Sequence, residues 1–219
     1  MSDWKQYFDQ KAETHGASVK SSDYFDDASF FMQRSYTLDW LGDIKGQEIL
    51  DAGCGVGAFS EPLTAANTVY GVDFSAKSLA FAAQRGLHTV VGDLTALPFG
   101  DGQFDVVLCI GVIQLIPDYR PVVRELSRVT KPGGIMLVQT LHQGSIQRQL
   151  LKVFERNKKF DTMYSMQELE EAYRRNGFDD IEFLKMYHPF RFVARQTAVG
   201  LVSDRLCTSF AIKGRKRRD

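Results

Sequence analysis

Cysteine is scarce in this sequence, and its copies lie far apart. The 219 residues include three cysteines, Cys54, Cys109 and Cys207. No two of them have the close spacing of a zinc knuckle or a redox pair, and so few distant cysteines do not make a disulfide framework. We therefore expect free thiols and no bound metal.

Long apolar runs are also missing. The longest, VVLCIGVIQLI at 106–116, has 11 residues and contains a glycine and a glutamine, whereas about 20 apolar residues are needed to span a bilayer. The opening MSDWKQYFDQKAE carries three acids and no apolar stretch, unlike a secretory signal. These features predict a cytoplasmic protein without a membrane span.

An excess of one charge is lacking as well. Lys plus Arg and Asp plus Glu each total 27, so nothing attracts the whole chain to nucleic acid or to acidic membranes. The local exceptions are the tail KGRKRRD at 213–219 and the stripe of Arg148, Lys152 and Arg156 on an amphipathic helix predicted at 145–160. They motivate one alternative, a non-catalytic module that senses a cofactor or docks RNA, although nucleic acid is an unlikely partner.

The first 46 residues differ in composition from the rest. They hold nine of the 26 aromatic residues, and Trp4, Tyr7, Phe8 and Lys11 have the three-and-four spacing of one helical face. A second helix is predicted at 26–41. We expect residues 1–46 to form a helical lid that orders over a bound cofactor, and a chain beginning near position 41 to fold without it.

Short runs rich in Val, Ile and Leu alternate with helical segments from position 47 onward. The predicted strands are 48–53, 68–73, 88–93, 104–110, 135–140, 181–188 and 206–214, and helices are predicted at 57–66, 75–85, 118–129 and 165–177. This alternation is typical of an α/β fold with a doubly wound, mostly parallel sheet, here of seven strands. Residues 47–219 would form the catalytic domain, with 142–176 as a helical insertion on the substrate side.

A glycine-rich turn follows the first predicted strand, in EILDAGCGVGAF. Gly53, Gly55 and Gly57 let the backbone bend sharply and approach a ligand closely. The spacing also satisfies G-x-G-x-x-A, the fingerprint of nicotinamide and flavin enzymes. Asp73, at the end of the second strand, suits the ribose of either cofactor class, so an NAD(P)-dependent oxidoreductase stays open at this point.

The third strand ends in another acid, Asp93. Three carboxylates along one sheet edge, with Asp51 and Asp73, suit a ligand that carries an amine and a cationic centre, whereas a pyrophosphate has no use for them. No Gly-Lys-Ser or Gly-Lys-Thr follows the turn, so a P-loop is excluded.

With these motifs the chain resembles a class I S-adenosylmethionine-dependent methyltransferase of the small-molecule, type 11-like branch. The resemblance covers residues 46–215 and rests on LDAGCGVGAF, VYGVDFS, VVGDLTALPFGDGQFDVVLCIGVIQLIPD and ELSRVTKPGG, in that order. It implies that Gly53, Gly55 and Gly57 pass the methionyl part of the cofactor and that Asp51 helps hold its amino group.

The resemblance also assigns the nucleoside. It implies that Asp73 binds the ribose hydroxyls, that Phe74 packs on the adenine, and that Asp93 accepts a hydrogen bond from the adenine amino group while the Leu94 amide binds the ring nitrogen. Ile110, just past the fourth strand with Gly111, would line the methyl-transfer channel.

Chemistry at the acceptor requires little of the protein, because a sulfonium already activates the methyl group. Where many relatives have histidine after the fourth strand, this chain has Gln114, which can orient a substrate but cannot take a proton. His142, just beyond the fifth strand, is the first candidate for a general base. The other candidates are His188 with Tyr187, and His15 and Tyr24 in the leader.

The acceptor is better defined by exclusion. The segment CIGV after the fourth strand lacks the Asn- or Asp-Pro-Pro-aromatic signature of amide and adenine methylation and the Pro-Cys of cytosine methylation. The aromatic leader and the apolar faces of the later helices favour a small molecule with apolar or ring character. The acceptor atom and the choice between monomer and homodimer stay open.

Overall fold

A computed structural model describes residues 2–22, 27–146, 149, 162–187, 198–199 and 203–218. The strands in this part of the chain are β1 (Glu48–Ala52), β2 (Thr68–Asp73), β3 (His88–Val91), β4 (Phe104–Ile110), β5 (Thr130–Leu141), β6 (Phe178–Tyr187), β7 (Ala198–Val199) and β8 (Ser209–Lys216). They form one sheet in the order β3-β2-β1-β4-β5-β8-β6-β7.

The sheet is parallel in one part and antiparallel in the other. Strands β1 to β5 pair in parallel, and β8 lies antiparallel between β5 and β6. This confirms the predicted mostly parallel α/β sheet, and all seven predicted strands are present. The two-residue β7, which pairs with the end of β6, is an eighth strand too short for a sequence pattern to reveal.

The α-helices of the described residues are α1 (Ser2–His15), α2 (Asp27–Leu41), α3 (Ala76–Gln84), α4 (Arg120–Val129) and α5 (Met166–Arg175). The predicted capping box is present at α5, where Ser165 and Glu168 bond reciprocally. No helix among these residues is long and apolar enough to cross a membrane.

The helix predicted at 57–66 is wrong. A turn follows Gly57, and only Glu61–Ala65 is helical, as a 3-10 helix with a proline in its first turn. Gly57 has φ of +75°, a left-handed conformation that an α-helix cannot contain. The glycines that open the ligand turn therefore delay the helix.

Two apolar layers cover the sheet, one on each face. Alternate residues of a strand point to opposite faces, so Val106 and Leu108 join one layer while Val107 and Cys109 join the other. Helices α2 and α3 pack on the first face, which we call the α2 face. Helices α4 and α5 pack on the second.

The leader does not behave as one unit. Phe30 and Leu41 of α2 are buried in the same apolar cluster as sheet residues, whereas α1 packs against α3 at the rim. The expectation that all of residues 1–46 lie outside the core is therefore wrong for α2, because its apolar residues cover sheet that would otherwise be exposed.

Candidate active site

The glycine turn after β1 is held against the end of β2. The amides of Gly53 and Cys54 both donate to the carbonyl of Val72, at 2.7 and 3.1 Å. Gly53 and Gly55 have φ of +80° and +52°, the region that glycine occupies without steric cost. The turn thus keeps its backbone close to the carboxyl edge of the sheet.

The loop after β4 closes on this turn. A Cβ at position 53 would lie 2.5 Å from Cγ2 of Val112, so no side chain fits there without moving the loop. Position 53 is thereby tied to the segment that contains Ile110 and Gly111, and the two parts of the predicted site come together. Nothing in the sequence singles out Val112, because it is one apolar residue in a long apolar run.

Asp73 organises the turn through its carboxylate. Oδ2 accepts a hydrogen bond from the Gly55 amide and Oδ1 accepts one from the Ser75 amide, both at 2.9 Å. Burial raises the pKa of Asp73 although these amides favour the charged form. Since a carboxylate accepts several hydrogen bonds, Asp73 can take a further donor, such as a ribose hydroxyl.

Asp51 lies deeper than Asp73, with 2% of its surface exposed. Its Oδ2 accepts from Ser60 Oγ at 2.7 Å. Burial, with a smaller contribution from the charge of Asp73, raises the pKa of Asp51 to about 7. A cation beside this carboxylate would offset both effects and lower that pKa, so the site fits a ligand with an ammonium group.

Asp93 lies two residues after β3, where its Oδ1 accepts from the Thr95 amide and hydroxyl at 2.8 Å each. Among the described residues, its other oxygen has no hydrogen-bond partner. The Gly92 amide donates to the carbonyl of Asp73, so the ends of β2 and β3 are joined. The Leu94 side chain is buried in the core.

Phe74 is half-buried, and its ring meets the ring of Phe8 edge to face at 5.9 Å between centroids. The same segment of α1 is tied down by Asp9, whose Oδ1 accepts from Ser75 Oγ at 2.5 Å. Glu13 pairs with Lys77 one helical turn later. Helix α1 therefore lies over the β2–α3 loop, and no sequence pattern indicates the contact between Asp9 and Ser75.

The channel side of the site is formed by the ends of β4 and β5. The Gly111 amide donates to the carbonyl of Gln139 at 3.0 Å, and Ile110 pairs with Gln139 in register. Gln114 is held by Thr140, whose Oγ1 donates to Oε1 at 3.3 Å. Gln114 is thus oriented from the end of β5.

His142 is buried just past β5, with 5% of its surface exposed. Its ring stands edge to face on Phe210, and Nδ1 has no hydrogen-bond partner among the described residues. Burial lowers its pKa, so the imidazole is neutral at physiological pH, as a base must be. No described hydrogen bond links it to Gln114 or to the glycine turn.

Among the remaining candidates, Tyr187 lies at this edge, because Met186 of β6 and Leu141 of β5 pair with the same residue of β8, Ser209. His15 ends α1, and Tyr187 ends β6. Tyr24, His188 and the basic stripe at 148–156 are outside the described part of the chain.

The basic tail belongs to β8 and the residues after it. Lys216 donates to the carbonyls of Ser127 and Thr130, and Arg217 pairs with Asp179. These cations are paired within the fold, which leaves them less available to the RNA of the alternative considered above.

Comparison with known proteins agrees with this geometry. A methyltransferase domain family matches residues 50–138. Demethylmenaquinone methyltransferase of Lactococcus lactis is 31% identical over 185 residues, covering 69% of this chain and 73% of that protein. Ubiquinone biosynthesis O-methyltransferase of Bordetella bronchiseptica is 36% identical over 118 residues, covering 48% of this chain and 49% of that protein. The chain thus spans about half the length of several relatives that it matches.

Solved structures show the same fold. A possible histamine N-methyltransferase of Thermotoga maritima, described as dependent on S-adenosylmethionine, superposes with a TM-score of 0.76 at 21% identity and covers 96% of this chain and all of that one. Magnesium protoporphyrin IX methyltransferase of Synechocystis, solved with bound S-adenosylhomocysteine, gives 0.67 at 20% identity and covers 84% of this chain and 82% of that one.

Proposed function

This chain belongs to the S-adenosylmethionine-dependent methyltransferases of the small-molecule type, and we propose that its acceptor has apolar or ring character. The observation that carries the site assignment is the left-handed glycine turn between two buried carboxylates, Asp51 and Asp73. The family fixes the cofactor, and these residues define where it would bind.

The residues present fit that cofactor part by part. Asp51 would accept from the amino group of the methionyl part, and the backbone of the turn at Gly53, Gly55 and Gly57 would line the chain between. Asp73 would accept from the ribose hydroxyls. When bound, S-adenosylmethionine supplies a methyl group that is already activated by its sulfonium.

The nucleoside would bind at the rim. Asp93 has a carboxylate oxygen without a partner among the described residues, suited to an adenine amino group, with Leu94 following it. Phe74 would pack on the base, and the edge-to-face contact with Phe8 would support its ring. Ile110 would line the channel toward the acceptor.

The rival cofactor is disfavoured by charge. A pyrophosphate of NAD(P) at the glycine turn would face Asp51 and Asp73, both nearly free of solvent, and like charges repel strongly where water is excluded. The same carboxylates attract the ammonium and sulfonium of S-adenosylmethionine. The G-x-G-x-x-A spacing therefore does not distinguish the two cofactors, but the buried acids do.

Two side chains would orient the acceptor and remove its proton. Gln114, held by Thr140, would orient the acceptor, and His142 would take a proton where the acceptor atom carries one. The aromatic residues of α1 beside Phe74 supply apolar surface near this edge. We also infer that the protein acts in the cytoplasm as a monomer or homodimer.

Calorimetric titration tests the assignment of the site. We expect micromolar binding of S-adenosylhomocysteine and none of NADH. Asp73→Asn should weaken S-adenosylhomocysteine binding by about 1–3 kcal/mol, since an amide cannot accept from both hydroxyls and both backbone amides. Asp43→Asn is the matched control, because Asp43 is exposed and pairs only with Lys45 in the described structure. NADH binding without a response to S-adenosylhomocysteine would reverse the assignment.

Turnover of a labelled methyl group tests the acceptor class. Ring hydroxyl, ring amine and aliphatic amine acceptors should be compared in parallel, and we expect the ring compounds to be methylated first. Efficient methylation of the aliphatic amine alone would contradict an apolar or ring-bearing acceptor.

A further inference from the structure

Gln139 is a buried amide at the channel side of the site. It lies near the end of β5 with 4% of its surface exposed, and its Oε1 has no hydrogen-bond partner in the part of the chain that the structure describes. Its backbone pairs with Ile110 and binds the Gly111 amide. The side chain therefore starts next to the segment that would line the methyl-transfer channel.

The strand pattern places this side chain on the α2 face. Residues two apart on a strand share a face, and Leu137 belongs to the apolar cluster that contains Leu108 and residues of α2. The paired residue on β8, Ala211, is in the same cluster. Gln139 is the polar member of an otherwise apolar row along β5.

Helix α2 brings polar groups to the same face. Gln33 and Thr37 are among its four buried residues, with Phe30 and Leu41 one turn to either side. Thr37 is fully buried, and its Oγ1 has no hydrogen-bond partner among the described residues. The layer between the sheet and α2 thus contains two unpaired polar atoms, one on β5 and one on α2.

Unpaired buried polar atoms are rare and costly in native proteins. Two of them on the α2 face, of which Gln139 adjoins the segment that would line the transfer channel, are explained if a ligand completes them. A hydroxyl or N–H on a ring would donate to Oε1 of Gln139 while the ring packs on the apolar residues of the same layer. A ring without a donor would leave the amide oxygen unpaired and bind less well.

Resting on the function proposed above, we propose that Gln139 determines acceptor specificity by accepting a hydrogen bond from a ring hydroxyl of the methyl acceptor, with Thr37 as a second polar contact on the α2 face. The hydroxyl recognised by Gln139 is distinct from the cofactor contacts, which lie at the ends of β1, β2 and β3.

The first test measures binding of two probes that differ in one donor. The protein, saturated with S-adenosylhomocysteine and also alone, is titrated with 1-naphthol and with 1-methylnaphthalene. We expect the wild type to bind 1-naphthol about tenfold more tightly, the factor that one ordinary hydrogen bond provides. Gln139→Met, close in shape but without the amide, should bring the ratio near one. An unchanged ratio in the variant, or no preference in the wild type, would overturn the proposal.

The second test measures thermal unfolding without any ligand. Gln139→Met and Thr37→Val remove unpaired polar groups, so both should unfold at the wild-type temperature or above it. Thr130→Val is the control: Thr130 is equally buried but donates to the carbonyl of Leu126 at 2.7 Å, and its loss should lower the unfolding temperature. If Gln139→Met lowered the temperature as much as Thr130→Val, the amide would already be paired in the free protein and the proposal would fail.

Different results would refute the proposed cofactor site and the proposed role of Gln139. Gln139→Met should bind S-adenosylhomocysteine within about twofold of the wild type, because Gln139 does not contact the cofactor side of the turn. Loss of S-adenosylhomocysteine binding by the wild type would refute the proposed site. A wild-type preference for 1-naphthol that disappears in Gln139→Met would still support the role of Gln139.

Discussion

Two helices precede the first strand, and they differ in what holds them. Helix α2 buries Phe30, Gln33, Thr37 and Leu41 against the sheet. Among the described residues of α1, only Ala12 has a buried side chain. Polar contacts to the β2–α3 loop and to α3 hold this helix in place. Burial of apolar area is strong and non-directional, whereas exposed ion pairs contribute little. One leader therefore contains a core layer and a rim element.

Truncation should separate the two helices most clearly. A chain beginning at Leu41 loses Phe30 and the partly buried Leu38 and Trp40 from the α2 face, which costs about 5 kcal/mol or more at about 1.5–3 kcal/mol per large apolar side chain and is comparable with total stability. A chain beginning at Ala17 loses only α1 and should fold. Circular dichroism during heating measures both. Cooperative unfolding of the shorter chain near the wild-type temperature would show that α2 is dispensable.

Single substitutions in α1 and α2 should show the same difference between the two helices in their contribution to stability. Phe30→Ala in α2 should destabilise by about 3–5 kcal/mol, as expected for a buried phenylalanine. Phe8→Ala in α1 should cost less than about 1.5 kcal/mol, since it removes an aromatic edge contact at the rim. Phe31→Ala controls for helix propensity, because Phe31 neighbours Phe30 but is largely exposed. Equal losses at positions 8 and 30, by urea unfolding, would contradict the distinction.

A carboxylate in the core and one at the rim should also differ in their effect on stability. With its pKa raised to about 7, Asp51 holds a proton in the folded state at pH values where the unfolded chain has released it. The stability of the cofactor-free protein should therefore fall as pH rises from about 4 to about 7.

Asp51→Asn should remove most of this fall and stabilise the protein at pH 8 by about 2–4 kcal/mol, while weakening S-adenosylhomocysteine binding. Asp9→Asn, in α1, is the rim comparison and should change stability less, because its side chain is only partly buried. Unfolding temperatures across this pH range measure both, and an unaltered profile in Asp51→Asn would show that other groups dominate.

The smallest expected effect is a change in the amide hydrogen exchange rates of α1. Amides of α2 should exchange slowly with or without ligand, because the helix belongs to the core. Amides of α1 should exchange faster and slow by about tenfold when S-adenosylhomocysteine fills the edge beneath Phe8, about 1.4 kcal/mol of added protection. Asp9→Ala should reduce that protection by removing the Ser75 contact. Equal protection of α1 in both states would show that it is not a lid.

Sequence reasoning succeeded where the pattern was local or repeated. The strands after position 47 are short apolar runs with turns between them, and the capping box at Ser165 is a local motif. It failed at 57–66, where residues with helical propensity follow glycines committed to left-handed conformations, and at 1–46, where two helices of similar composition have different partners. The polar face of α2 could not be found at all, because Gln33 and Thr37 are ordinary helix residues until the sheet covers them.

The amino-acid sequence by itself determined the order of strands and helices, the glycine turn and the acids that end the first three strands, because periodicity and backbone conformation depend on neighbouring residues. Only the tertiary structure decided that Val112 closes on Gly53, that α2 is core while α1 is rim, and that Gln139 is buried without a partner. Those properties depend on residues distant along the chain, and burial then sets the pKa of Asp51 and the cost of an unpaired amide.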